Sequence, residues 1–247
     1  MRMRVAQQVS NEVRIDTVRS LDILLSDAPW RFEREKHEAI AAHFARLRES
    51  KPALWNGPVL LFRDCSLIDG LFRAEAFRTD YASFVAWLDG LDGGIETVAG
   101  VRNCFACPVV ESSDGAFLLG RMAAHTANAG QVYFPCGTPD FDDLVDGRVD
   151  LDGSVARELR EETGLSIADL APVPGWIVVS DGPYVALLRR FRSALSSDAL
   201  RAKVHATLQA EPNPELSDIV MLRDRSGIIT DAMPPFVQAF LTQVFDR

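Results

Sequence analysis

The sequence predicts an α/β protein in which strands and helices alternate along the chain. Three observations lead there. Short β-compatible runs bounded by Gly, Pro, Asp and Ser recur, above all after residue 98. A charged helical segment near 153–163 interrupts them. An apolar helical stretch, 234–245, closes the chain. With 247 residues, 47% of them hydrophobic, the chain can fill a core without disulfide or metal staples. Asp89-Gly90-Leu91-Asp92-Gly93-Gly94 is the best linker in the sequence. It sets an expected boundary near residue 95: a smaller α/β region over 1–95 and a larger unit over 96–247.

In the first region, residues 12–25 alternate loosely between apolar and charged, as one or two strands would. Ser26 to Pro29 carries helix-start chemistry, a capping side chain and then a proline tolerated in the first turn. An amphipathic helix is expected from Trp30 to about Glu49, with Ile40, Phe44 and Leu47 on its apolar stripe. His37 and His43 lie on it without a metal-spaced partner. Residues 54–58 read as a turn, and 59–62 with 67–76 as hairpin strands that break at Asp69-Gly70. A second helix is expected from Thr79 to about Leu91.

In the second region, 101–111 and 116–122 read as strands joined by Ser113-Asp114-Gly115. A small-residue loop, 123–131, leads into a strand at 132–135. The central helix is expected over 153–163, capped by Asp150 or Asp152. A hairpin of 176–179 and 184–191 follows, then a helix over 197–210. The prolines at 212 and 214 break that helix. A short strand, 219–222, precedes the closing helix, whose Phe236, Phe240 and Phe245 are expected in the core.

The 26 Lys and Arg against 35 Asp and Glu leave a net charge of −9. A generalist nucleic-acid binder would need the opposite sign. A small anionic substrate remains compatible, because bound metal ions bring local positive charge. Of four cysteines, Cys104 and Cys107 form a CxxC with no second CxxC or His pair, so they read as small buried hydrophobes rather than zinc ligands. The opening residues lack the apolar core of a signal peptide, and no run of about eighteen apolar residues occurs. The expectation is a cytoplasmic protein with no membrane span.

The chemistry concentrates in Arg157-Glu158-Leu159-Arg160-Glu161-Glu162-Thr163-Gly164-Leu165. Glu158, Glu161 and Glu162 fall at i, i+3 and i+4, one stripe of one helix. Their like charges repel, and a hard divalent cation with oxygen ligands removes that repulsion. Arg157, four residues before Glu161, is expected to hold that carboxylate. Val155 and Leu159 give the helix a side to bury, and Gly164 reads as its C-cap. Taken alone, ExxEE is more often a solvated acidic face. The whole segment, however, resembles the core of the Nudix box, Arg-Glu-apolar-x-Glu-Glu-x-Gly-apolar, with every fixed position of that half filled. Phe134-Pro135-Cys136-Gly137 resembles the Phe-Pro-Gly-Gly that opens the box.

Two departures stand out. Arg157 lies twenty positions after Gly137, six more than in the family pattern. The family's early Glu would fall on Val149; Asp142, Asp143, Asp146, Asp150 and Asp152 crowd the lengthened segment as substitutes. Cys136 also replaces a glycine whose backbone carbonyl binds metal in many members, a ligand any residue can supply.

The resemblance implies an α/β/α sandwich with a mixed sheet, preceded here by the smaller region. It implies hydrolysis of a nucleoside diphosphate linked to another moiety. Mg2+ or Mn2+ would be held by Glu158, Glu161, Glu162 and the Cys136 carbonyl, with Arg157 orienting the glutamates. The general base would be a box glutamate or a carboxylate from a distal loop; Glu215, in a Pro-bounded loop before a late strand, is the distal candidate, with Glu211 and Asp218 competing. Leu119-Gly120-Arg121-Met122-Ala123-Ala124-His125, followed by Gly130 and Phe134-Pro135, is similar to the segment before the box in Nudix proteins that hydrolyse UDP-glucose and UDP-galactose. That makes UDP-glucose the first substrate, split to UMP and sugar 1-phosphate, and Arg121 and His125 candidate contacts to the diphosphate or base. ADP-ribose, coenzyme A and dinucleotides are the alternatives, as is a nucleotide-sugar sensor without catalysis. The expected partner is a small molecule, not nucleic acid. Residues 1–95 could cover the site, shape substrate choice or form a homodimer.

Overall fold

The computed structural model describes residues 13–52, 54–91 and 100–246. The expected boundary near residue 95 lies outside them. The described residues form two mixed sheets and five helices. The larger sheet contains β1 (Arg14–Val18), β5 (Asn103–Glu111), β6 (Phe117–Met122), β11 (Trp176–Asp181), β12 (Tyr184–Ser193) and β13 (Leu216–Leu222). Their order is β1-β11-β12-β5-β6-β13; β7 (Val132–Tyr133) pairs with β6, and β10 (Leu170–Pro172) with β12. The smaller sheet contains β2 (Ser20–Ser26), β3 (Pro58–Ile68), β4 (Leu71–Asp80), β8 (Leu144–Val145) and β9 (Arg148–Val149), in the order β3-β4-β2-β9-β8. Among the described strands, only β12–β5 and β2–β4 pair in parallel. The helices are α1 (Arg31–Ser50), α2 (Tyr81–Leu88), α3 (Leu151–Thr163), α4 (Ser197–Ala210) and α5 (Pro235–Phe245). No described helix is long and apolar enough to cross a membrane.

The two sheets exchange elements. β1 leaves the N-terminal segment and runs antiparallel to β11, from Arg14 opposite Ser180 to Val18 opposite Trp176. In return, the segment before α3 folds into the β8–β9 hairpin and joins the smaller sheet, with Arg148 opposite Leu24. Leu25 donates its N–H to the Gly147 carbonyl at 2.9 Å, and Arg148 pairs with Asp22. The residues that lengthen the Gly137–Arg157 segment are therefore edge strands of the other sheet. Strand β3 adds main-chain bonds: Leu60 N–H to the Pro139 carbonyl at 2.8 Å, and reciprocal bonds between Phe62 and Arg102 at 2.9 and 2.7 Å.

Burial explains the apolar run at 59–62. Successive residues of a strand face opposite sides. Leu60 and Phe62 enter the core shared with the larger sheet, while Val59 and Leu61 pack under α1 and α2 with Trp30, Phe44 and Trp87. A strand covered on both faces loses its polar alternation. Ile40 and Phe44 of α1 are buried as expected, and Leu47 partly so. The expected cap at Ser26 does not form. Helix α1 begins behind Trp30 with no side-chain cap, because Arg63 donates to Ser26 Oγ at 2.8 Å and ties it to the sheet. Helix α2 starts at Asp80, which accepts from Ser83 N–H at 2.8 Å, and ends at Leu88, short of the expected 91. In α5, Phe236 and Phe240 are buried, and Phe245 packs against the core.

Candidate active site

Helix α3 is fixed at both ends. Asp150 accepts from Gly153 N–H at 3.0 Å, which makes it the N-cap, and Gly164 closes the helix in the left-handed region at φ 68°. Val155 and Leu159 are buried in the shared core. That rotation turns Glu162 inward, 5% exposed, and leaves the Glu158 side chain 13% exposed and that of Glu161 54% exposed. One carboxylate of the stripe is thus at the surface, close to Arg160 at 3.7 Å.

The two inner carboxylates meet the loop after β7. Strands β5 and β6 pair only at Glu111 and Phe117, and Gly137 bridges instead to Ala106 of β5. Glu162 Oε1 accepts from the Cys136 N–H at 2.9 Å; its Oε2 is buried with no partner. Glu158 lies directly on Gly137, where an added Cβ would stand 2.3 Å from Oε1. A side chain at 137 would push that carboxylate aside. Burial pushes Glu158 up to about 7, against the pull of Arg157 and with the charges of Glu161, Asp143 and Glu215. Burial likewise holds Glu162 well above the usual carboxylate range, reinforced by Glu215 and Glu158. These acids are crowded and dry, a state that a cation relieves.

Arg157 does not hold Glu161. Its Nη2 sits 2.8 Å from both oxygens of Asp143 and 3.5 Å from Glu158 Oε1. Asp143 is buried at the end of a 3-10 turn, 141–143, closed by a reciprocal cap with Asp140, so it offers a fixed acceptor where the exposed Glu161 does not. Among the crowded aspartates, Asp143 is therefore the acid beside Arg157. Asp150 is the cap, and Asp152 faces Arg189 at 3.2 Å.

Around this centre lie residues from two loops. Glu215 is exposed immediately before β13, and its carbonyl accepts from Ala123 N–H at 2.9 Å. Its charge is felt at Glu158, Glu162 and Tyr133. Asp218 is taken up by His205 at 3.1 Å and Arg201 at 3.5 Å, and Glu211 is exposed. Arg121, on β6, is half-buried and donates to the Gly130 carbonyl at 3.3 Å. His125 is exposed on the 123–131 loop. Sequence reading passed over Tyr133 and Asn128. The Tyr133 hydroxyl accepts from Asn128 Nδ2 at 3.1 Å, and burial, with the charges of Cys136, Glu162 and Glu215, pushes its proton affinity up. Its signal was its place directly before Phe134-Pro135-Cys136-Gly137.

Among the described residues, no three His, Cys, Asp or Glu side chains converge closely enough to hold a metal ion as they stand. The donor chemistry nevertheless fits a hard divalent cation. The unpartnered Glu162 Oε2, the buried Glu158 and the nearby Glu161 and Glu215 are all oxygen donors.

No family model matches the chain, and no curated protein matches it. Solved structures do. The chain is similar to the Nudix hydrolase RenU of M. smegmatis at 14% identity over 58% of this chain and 82% of that one, with a TM-score of 0.38. It is similar to the MutT protein of Methanosarcina mazei Go1 at 20% identity over 59% and 94%, TM-score 0.39. A Nudix hydrolase from Nitrosomonas europaea gives 17% identity over 58% and 88%, TM-score 0.38. At these values the functional reading rests on the chain's own residues: a segment that resembles the Nudix box, whose helix sets buried carboxylates against a glycine loop.

Proposed function

We propose that the protein is a divalent-metal-dependent, Nudix-type pyrophosphohydrolase acting on a nucleoside diphosphate linked to another moiety. The observation that carries this reading is the buried Glu158–Glu162 pair, raised in pKa and with Glu162 Oε2 unpartnered, against the Cys136–Gly137 backbone. Glu158, Glu161 and Glu162 would hold Mg2+ or Mn2+, with the Cys136 carbonyl as a further donor; the cation would neutralise diphosphate charge and acidify water.

The chain's own groups do the rest. Arg157, locked on Asp143, orients Glu158 and stays away from the substrate. The Cys136 N–H fixes Glu162 Oε1, which leaves the buried Oε2 without a protein partner and available to a cation. The exposed Glu215 carboxylate accepts the proton of the attacking water. Tyr133, kept protonated, accepts from Asn128 and has its own proton to give to a substrate oxygen. Arg121 and His125, on β6 and the loop after it, would contact the diphosphate or base.

The finer reading, a nucleotide sugar with UDP-glucose first, rests on the likeness of segment 119–135. A second reading, a nucleotide-sugar sensor, is favoured by one observation: Glu161 is exposed and the acids do not converge. Phosphate release by alkaline phosphatase after Mg2+ reactions with UDP-glucose, ADP-ribose, NADH and coenzyme A separates these, once the phosphate that the phosphatase alone takes from the 3′-position of coenzyme A is subtracted. Signal with UDP-glucose alone supports the nucleotide-sugar reading; signal elsewhere keeps the box chemistry and replaces the substrate. Silence with both Mg2+ and Mn2+ overturns the nucleotide-sugar hydrolase and moves the weight to the sensor or to a substrate outside the four. In an enzyme, Glu161→Gln removes turnover while ligand binding persists.

A further inference from the structure

The four free cysteines stand in two pairs, each with one member on β5. Cys104 and Cys107, three positions apart, project from opposite faces of that strand. Cys107 meets Cys136 of the box loop. Cys104 meets Cys65 of β3, with the two sulfurs 3.9 Å apart. We propose that Cys65 and Cys104 form a peroxide-responsive modification site that closes a reversible disulfide between the two sheets.

Accessibility and charge divide the roles. Cys65 is half-buried, whereas Cys104 is fully buried, so an oxidant meets Cys65 first. The contact with Cys104 and the nearby Arg102 guanidinium both favour the Cys65 thiolate, while burial and that same contact hold Cys104 protonated. Peroxide reacts with the thiolate, so Cys65 is the peroxidatic sulfur and Cys104 the resolving one. Cys65 also sits where the β3–β4 register shifts, between Arg63 and Ser66. A bulged strand is not held residue by residue, so its sulfur can travel the roughly 2 Å that separates contact from a bond of about 2.05 Å. The second pair has the same arrangement, a half-buried Cys136 on a fully buried Cys107, but the contact with Cys107 and then burial hold the Cys136 thiol up, so it offers no ready thiolate.

The steps balance. The Cys65 thiolate attacks one oxygen of hydrogen peroxide, the O–O bond breaks, and Cys65 sulfenic acid and hydroxide form. Cys104 sulfur attacks the sulfenic sulfur, the S–O bond breaks, and the leaving oxygen departs as water with the Cys104 proton. Two thiols are oxidised to a disulfide as one peroxide is reduced to two waters. The new bond would tie β5 to β3 a few residues beyond Leu60 and Phe62, whose main-chain bonds already hold Pro139 and Arg102. This site goes beyond the hydrolytic reading and does not depend on it.

The test uses the full-length protein. It is exposed to a small excess of hydrogen peroxide, quenched with catalase, alkylated under denaturing conditions and digested without reduction. The expected result is a fall from four free thiols to two, with one peptide linking Cys65 to Cys104 that dithiothreitol dissolves. Cys104→Ser should leave Cys65 as a sulfenic acid that dimedone traps. Since Cys104 is buried and that variant could misfold, the wild-type peptide map decides by itself. Four thiols retained, a Cys107–Cys136 link instead, or Cys65 driven to sulfinic acid without a cross-link would each overturn the proposal.

Discussion

Glu158 couples the stability of this protein to pH in a direction opposite to that of a salt-bridged acid. Burial raises its pKa in the folded state to about 7, from an ordinary 4.5. Between those values the folded state binds more protons than the unfolded one, so this contribution is present below the unfolded pKa and is lost as pH rises through the folded one. The loss is on the order of 3 kcal/mol at full deprotonation. In chelator-treated protein, urea unfolding should give lower stability at pH 8 than at pH 5, and Glu158→Gln should reduce that difference. A wild-type protein equally stable at both values would refute the burial of this carboxyl. The same carboxylate explains Gly137. Gly137→Ala places a Cβ against Glu158 Oε1, so the carboxylate must move. A displacement near 1 Å in a site of this kind costs about 100-fold in kcat/KM. Steady-state rates on the preferred substrate measure it; an unchanged rate would remove Glu158 from the chemistry. Sequence gave away the glutamates, whose spacing is a helix periodicity. It could not rank them, because which faces inward depends on how Val155 and Leu159 dock.

At the scale of elements, α3 was legible and the hairpin before it was not. The helix announces itself by a capping aspartate, an apolar side and Gly164. The last can be tested: at φ 68°, with Thr207 Oγ1 only 2.3 Å from an added Cβ, Gly164→Ala should destabilise the protein by about 1–2 kcal/mol. A thermal or urea midpoint at the wild-type value would mean the turn relaxes freely. Strands β8 and β9 have two residues each, too few to show any period, and β9 pairs with a strand more than a hundred residues earlier. Their one local signal is Asp146-Gly147. Both residues have positive φ, 49° and 74°, which suits a tight hairpin turn. Overlooking it made five aspartates look equivalent. Once the hairpin is folded, Asp143 is buried against Arg157, Asp150 caps α3, Asp152 faces Arg189, and Asp142 and Asp146 are exposed.

The whole molecule is knitted by exchange, which makes its folding unit larger than its box. The Asp- and Gly-rich stretch at 89–94 is the natural place to divide the sequence, since local composition is what a linker reading sees. Pairing across the sheets is non-local and leaves no such trace. A fragment starting at residue 96 would lack β1 and so free the β11 edge; it would also leave the β8–β9 hairpin without β2. Leu60, Phe62 and Phe72 would be missing from the shared core, each a loss of about 2 kcal/mol or more of burial. A domain's net stability is only about 5–15 kcal/mol, so several such losses together exceed it. The full chain should therefore unfold in one calorimetric transition, and the 96–247 fragment should show no cooperative melt and no Mg2+-dependent hydrolysis. A fragment with dispersed amide resonances and full turnover would show that the box folds alone and that the smaller sheet is an accessory. Loss of both together would place α1, α2 and the smaller sheet inside the catalytic unit, acting through Pro139 and the hairpin that fixes Asp143.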